Sequence, residues 1–293
     1  MSDATRRAVV LSGGGLLGAA WEAGLLRGLT DAGVDLAAAD SVIGTSAGSL
    51  SGASFTLGGD PKELLSTLDL AIESTEPFVT PERFSTMFEI MAQAAADVSP
   101  EAGRRRIGRA ALEVESIDEP AFVEKFSFLG EKWPQAFVAT AVEATSGEFQ
   151  SWSHSSGVPL FRAVASSCAA PLVFPAVKIK GRPYLDGGLK SNLNSDLARG
   201  HGRILAVSSL LVTTPVPDAG PMHDMMAAQV VMELEERRQE GSQVELIEPG
   251  PEFIEITDGG RDYMVRSRIQ AAFDAGLHQA AQAAQRISDL WTA

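Results

Sequence analysis

The sequence predicts an α/β fold of three layers, α/β/α, around a largely parallel central sheet. Two observations carry that reading. Short apolar runs of strand length alternate with stretches of helical periodicity along most of the 293 residues, as in chains built from βα units. The first two apolar runs also end in glycine-containing turns that pass directly into helical pattern. Ala8-Val9-Val10-Leu11 leads into Gly13-Gly14-Gly15-Leu16-Leu17-Gly18, and Ser41-Val42-Ile43 leads into Gly44-Thr45-Ser46-Ala47-Gly48.

Composition limits the function classes. Hydrophobic residues make up 45% and charged residues 21%, which suits a chain with a substantial core. The net charge of −14 argues against nucleic acid as a partner and gives no electrostatic attraction to anionic membranes. The single cysteine, Cys168, excludes an intrachain disulfide and a cysteine-cluster metal site. It fits a reducing compartment. Residues 1–7 are polar and show no signal peptide, so the expected location is cytoplasmic. No run reaches the roughly 18 apolar residues of a membrane span. Residues 1–293 are expected to form one domain.

The first turn is strand, glycines, helix, with the helix over 19–32. Such a turn presents backbone N–H groups free of side chains, ready for a phosphate or an oxyanion. The stretch also matches the dinucleotide fingerprint G-x-G-x-x-G. That function needs an acidic residue at the end of the second strand to hold the ribose. Asp35 and Asp40 precede the strand, and a serine turn follows it. The oxyanion reading is therefore preferred.

The second turn is G-x-S-x-G, the layout of a nucleophile elbow. Gly44 and Gly48 flank Ser46 at the two positions where the sharp turn demands small residues. A helix over 49–57 follows, and its first N–H groups face any negative charge that forms at the serine.

Further along, 61–73 reads as a helix. Residues 77–134 read as a helical insert or lid region. There Phe84, Met87, Phe88 and Met91 share one helix face, and core packing is preferred over an acyl-chain surface. Residues 136–144 read as a core strand with 149–153 as its hairpin partner. A helix over 158–168 stops before Pro171. Cys168 in this stretch reads as a small buried hydrophobe. Residues 177–188 form a hairpin ending in Asp186-Gly187-Gly188, whose glycines allow close approach and aim the carboxylate. A plain Asp-Gly turn is the competing reading, and Asp258-Gly259-Gly260 repeats the tripeptide. A helix begins over 194–198, a strand follows over 204–208, and a helix over 222–239. Strand candidates at 243–247 and 253–256 and a closing helix over 262–290 complete the chain.

Taken in order and spacing, these motifs resemble the patatin-like phospholipase family. The matching residues are Gly13-Gly14-Gly15 with Gly18, Gly44-Thr45-Ser46-Ala47-Gly48, and Asp186-Gly187-Gly188. A softer match is Ala165 through Pro171 with Phe174-Pro175 behind it, and Asn192 fits the continuation after Asp186. The resemblance spans about 7–210 and, more faintly, the C-terminal helix. Two positions depart from the pattern. Leu17 stands where the family usually has a basic residue, and Asn194 replaces a proline.

The resemblance implies a serine–aspartate dyad, with Ser46 as nucleophile and Asp186 as base. Backbone N–H groups of Gly13, Gly14 and Gly15, with Ala47, would hold the oxyanion. No metal or organic cofactor is implied. The implied substrates are lipid or small acyl esters, reached by transient contact with a membrane surface. A catalytic triad would need a histidine, but His154, His201, His223 and His278 all read as surface or capping residues. An ordinary aspartate titrates too low for a base at neutral pH, so Asp186 is expected to be buried and within hydrogen-bond reach of the Ser46 hydroxyl. A hydrolase-like fold kept only for binding or regulation is the competing function, and a dinucleotide-binding enzyme ranks third.

Overall fold

The structure is a computed structural model that describes residues 3–73, 78–214, 216 and 220–292. In chain order it runs β1 (Asp3–Leu11), α1 (Gly15–Asp31), β2 (Ser41–Gly44), α2 (Ala47–Thr56), α3 (Pro61–Glu73), α4 (Pro81–Ala94), α5 (Pro100–Glu113) and α6 (Glu119–Glu124). Then come β3 (Phe137–Glu143), β4 (Phe149–Trp152), α7 (Leu160–Ser167), β5 (Val177–Ile179), β6 (Arg182–Asp186) and β7 (His201–Val207). The chain closes with α8 (Gly220–Gln239), β8 (Gln243–Ile247), α9 (Pro251–Ile256) and α10 (Ile269–Thr292).

All eight strands form one sheet, in the order β5-β6-β3-β2-β1-β7-β8, with β4 also paired to β3. The centre is parallel: β1 pairs with β2 and β7, β2 with β3, and β7 with β8. β4 and β6 run antiparallel to β3. The central strands are apolar on both faces because helices cover both. Val9 and Leu11 of β1 face the larger core with α1, α2, α7 and α10. Ala8 and Val10 face a smaller core closed by Val230 and Leu234 of α8. This is the three-layer arrangement, and near-continuous apolar strands are its signature.

Helices α1 and α10 pack at backbone contact. A Cβ on Gly276 would strike the Trp21 carbonyl, so a larger residue there would force the helices apart. Trp21 then stacks on Phe253 of α9, with ring centroids 5.1 Å apart.

Several boundaries differ from the sequence expectation. Residues 253–256 form part of a helix and not a strand. Gly250 caps it and Pro251 takes the first helical position, a start signal that outranks a short apolar run. The helix expected over 194–198 is one 3₁₀ turn, Ser195–Ala198. The closing helix starts at Ile269, after an irregular segment. The insert contains three helices, α4 to α6, and its boundary residue Pro77 lies outside the described residues. Of the α4 face, Met87 is buried and Phe84 and Met91 pack on the core, whereas Phe88 remains 40% exposed.

Candidate active site

Two strands bring the site together on β3. Ala139 pairs with both Trp152 of β4 and Gly44 of β2, and Ala141 pairs with both Gln150 of β4 and Asp186 of β6. A strand has two edges, and β4 occupies one of them along this stretch. β2 and β6 therefore share the other edge and point at each other. Their last residues, Gly44 and Asp186, face positions two residues apart on β3, about 7 Å at the usual strand rise. Thr140 sits in the gap and donates to the Gly44 carbonyl at 3.3 Å and to Thr45 Oγ1 at 3.0 Å. A Cβ on Gly187 would strike Thr140, which is why glycine follows the aspartate.

Ser46 caps α2 with φ 53° and ψ −118°. A residue bearing a Cβ is strained there, and such strain costs about 1–3 kcal/mol. Gly44 and Gly48 make the turn sterically feasible, since a Cβ on Gly44 would meet the Ser49 Cα at 2.5 Å and one on Gly48 the Leu11 Cβ at 2.6 Å. Hydrogen bonds hold the strained residue. Its N–H donates to Ser167 Oγ at 3.0 Å, and its carbonyl accepts from Ser49 Oγ at 2.7 Å and from the Cys168 thiol at 3.2 Å. The result is a half-buried serine whose side chain stands clear of the turn.

Asp186 is 7% exposed. Burial raises its pKa to about 6, while hydrogen bonding from the Gly188 N–H, at 2.8 Å, and from the Ser46 side chain pulls the other way. Its own N–H donates to the Ala169 carbonyl at 3.0 Å. Ser167, Cys168 and Ala169 thus grip the backbones of both Ser46 and Asp186. Cys168 is half-buried, and burial together with the nearby Asp186 charge pushes its thiol pKa up, so it serves as an S–H donor. That role goes beyond the small-hydrophobe expectation. Serines 166 and 167 carry no sequence signal beyond the softer family match.

The glycine turn after β1 is more selective than the sequence implies. The Gly13 N–H is already committed to the Asn192 carbonyl at 2.9 Å, so Gly13 does not supply an oxyanion donor. The N–H groups of Gly14, Gly15 and Ala47 have no hydrogen-bond partner among the described residues. Gly13 lies directly against Ser46: a Cβ there would sit 3.4 Å from the Ser46 Cβ. Gly15 has φ +60° and lies against Tyr263 and Met264. Gly18 packs between Ser209 and Ala47, and Gly188 supplies the hydrogen bond to Asp186.

Both departures from the family pattern have a local cause. Asn194 adopts φ 56°, which proline's ring forbids and asparagine tolerates. Its side-chain amide donates to Thr45 Oγ1 at 3.0 Å and to the Gly187 carbonyl at 3.3 Å, so it ties the elbow to the aspartate turn. Leu17 is fully buried in the larger core, where a charge would be costly.

The histidines stand apart. His201 is 3% exposed and takes the capping role of the two expected, its Nδ1 lying 3.0 Å from the Ala198 carbonyl at the end of the 3₁₀ turn, while Nε2 contacts Ser41 at the start of β2, the end remote from Ser46. His278 pairs with Glu252 and His154 with Gln135, both exposed contacts. His223 lies 3.7 Å from Asp224. Two surface cavities, of about 350 and 430 Å³, are lined by neither Ser46 nor Asp186.

The chain was compared with known proteins. No curated protein sequence matches it significantly. Solved structures that it resembles include VipD from Legionella pneumophila, 16% identical, with 96% of this chain and 67% of that one covered and a TM-score of 0.43. Another is the type III effector protein ExoU, 15% identical, with 98% of this chain covered and a TM-score of 0.39. This chain spans 54% of that protein's length. The model of the patatin-like phospholipase family matches residues 9–199, well over half the chain and inclusive of both glycine turns and Asp186. The chain belongs to the patatin-like phospholipase family.

Proposed function

We propose that the protein is a serine acyl hydrolase that cleaves lipid acyl esters, as a phospholipase A, a lysophospholipase or a carboxylesterase. The observation that carries this reading is the meeting of β2 and β6 on one edge of β3, which sets Ser46 beside a buried Asp186. Ser46 Oγ attacks the ester carbonyl carbon as its proton passes to Asp186. The tetrahedral oxyanion is stabilised by the N–H groups of Gly14 and Gly15 and by that of Ala47 at the start of α2. The C–O bond then breaks, and the departing alkoxide takes the proton from Asp186. Water attacks the acyl-Ser46 ester, giving its proton to Asp186, and the carboxylic acid leaves with Ser46 restored.

A pKa near 6 suits this role. The carboxylate is charged at neutral pH, yet basic enough to accept a proton as it is released. All of this chemistry is within reach of the chain's own groups.

We read 1–293 as one hydrolase domain, with 77–134 as a helical insert. Each of its helices is fastened to the body: Arg83 of α4 donates to the Leu172 carbonyl, Arg104 of α5 to the Gly147 carbonyl, and Phe122 of α6 stacks on Phe174 at 5.0 Å. Exposed Phe88 on α4 supplies an apolar contact for transient docking at a lipid surface. No helix among the described residues is long and apolar enough to cross a membrane. The thiol at the nucleophile fits a reducing, cytoplasmic setting.

The test is hydrolysis of p-nitrophenyl butyrate by wild type and by Ser46→Ala. Turnover by wild type that drops to background in the variant supports the reading. Equal turnover by both removes Ser46 as nucleophile.

A further inference from the structure

Ser209 lies just past the end of β7 and outside the residues matched by the family model. We propose that Ser209 is a positioning residue of the oxyanion hole: with Ser12 and Asn192 it locks the Gly13–Gly14 peptide so that the Gly14 N–H faces the reacting carbonyl. The assignment rests on Ser46 being the nucleophile.

The Gly13 carbonyl is unusually well held. It accepts from Ser209 Oγ at 2.6 Å and from Asn192 Nδ2 at 3.0 Å, which fills both lone pairs of the oxygen. Ser12 Oγ accepts the Ser209 N–H at 2.8 Å and lies 3.1 Å from both the Gly13 carbonyl and Ser209 Oγ, so its own proton has an acceptor on either. Ser209 thus joins Ser12 to the Gly13 carbonyl: its N–H goes to Ser12 and its O–H to Gly13. Ser12 and Ser209 are fully buried and Asn192 is 8% exposed, so no solvent competes for these groups. Tyr263 OH donates to the Ser209 carbonyl at 2.9 Å and fixes the backbone from the other side.

A trans peptide is planar, with its C=O and N–H pointing in opposite directions. Clamping the Gly13 carbonyl on one side therefore aims the Gly14 N–H at the other, where it has no partner among the described residues. Turning the peptide over would leave the Ser209 and Asn192 donors buried and unpaired, which is strongly unfavourable. The donors on the carbonyl also polarise the amide, which strengthens the N–H as a donor. Glycine is required at 14 for the same reason, because a Cβ there would occupy the place of the Ser209 side chain.

The experiment uses the full chain as wild type, Ser209→Ala, Ser209→Cys and Asn192→Asp. It measures kcat and KM on p-nitrophenyl butyrate, and the Ki of an alkyl trifluoromethyl ketone, whose hemiketal with Ser46 places an oxyanion in the hole. Ser209→Ala is expected to lose about 10- to 100-fold in kcat, with ketone affinity weakened by a similar factor and KM nearly unchanged. Asn192→Asp, which sets an acceptor against a carbonyl, should lose more. Ser209→Cys, with a weaker donor, should fall between wild type and Ser209→Ala. A role in packing alone would lower the melting temperature without this parallel between kcat and Ki. Folded Ser209→Ala with wild-type kcat and Ki overturns the assignment. Should that variant not fold, wild-type values in Ser209→Cys overturn it. A wild type that neither hydrolyses the ester nor binds the ketone, or a Ser46→Ala that does both, removes the hydrolase reading itself.

Discussion

The turns after β1 and β2 occupy equivalent places, at the ends of neighbouring parallel strands where Leu11 pairs with Gly44. They solve opposite problems. The first strips side chains away and leaves the Gly14 and Gly15 N–H groups without partners among the described residues. The second bends the backbone into an unfavourable region so that one side chain stands clear. Glycine serves both, for different reasons. At Gly14 its Cβ would displace a hydrogen-bonding side chain, whereas at Gly48 it would run into the backbone and side chain of Leu11. The first clash falls on a side chain that holds the Gly13 carbonyl, the second on a central strand.

That difference separates function from stability, and substitution can break it. Gly48→Ala should cost about 3 kcal/mol in chemical denaturation, since the clash falls on a buried central strand. Gly14→Ala should cost about 1–3 kcal/mol, because its Cβ would meet the Ser209 Cβ as well as the hydroxyl, and should lose about 100-fold in kcat as Ser209 is pushed off the Gly13 carbonyl. A folded Gly14→Ala with wild-type kcat would erase the distinction drawn between the turns.

The next test sharpens the contrast between a site built for chemistry and one built for stability. With Asp186 acting as base, kcat/KM should rise with pH and reach half its plateau near pH 6. Stability should move the other way. The folded pKa lies above the ordinary 3.8, so the folded state holds a proton that the unfolded state releases. The stability that this group contributes is present below about pH 3.8 and lost as pH rises through about 6. The loss is on the order of 3 kcal/mol. Asp186→Asn should therefore be inactive but melt at a higher temperature than wild type at pH 8, and the difference should vanish near pH 4. A lower melting temperature for the variant at pH 8 would contradict a desolvated carboxylate.

The smallest expected effect concerns the grip on the strained serine. Removing the Ser167 hydroxyl leaves the Ser46 N–H without its acceptor, a change of about 1–1.5 kcal/mol. Ser167→Ala should slow phosphonylation of Ser46 by a fluorophosphonate about tenfold, and Ser167→Thr should restore the rate. An unchanged rate in Ser167→Ala would show that the glycines alone hold the elbow.

Much of the fold is legible in the residues themselves. The apolar runs of β1 and β2, the helix Pro61–Glu73 and the hairpin ending at Asp186 are local patterns, and each forms where its pattern stands. Helix α9 is harder to read, because Phe253-Ile254-Glu255-Ile256 suits a strand or a helix turn and only the Gly250-Pro251 start ahead of it, with packing against Trp21, decides. The candidate nucleophile and base are nameable because glycine spacing marks them. Ser12, Ser167 and Ser209 are not, because an isolated serine in a serine-rich chain has no distinguishing neighbours.

What the sequence determined by itself is therefore local: strand and helix identity, the two glycine turns, and the residue types able to attack, accept a proton and bind an oxyanion. Tertiary structure alone decided which of those groups meet. β2 and β6 come from stretches about 140 residues apart, and only their shared edge on β3 sets Ser46 beside Asp186. Likewise the Gly13 N–H is spent on Asn192 while that of Gly14 is left to face the site. Local propensity acts over a few residues, whereas strand order, burial and the partners of a buried amide depend on contacts between distant segments of the chain.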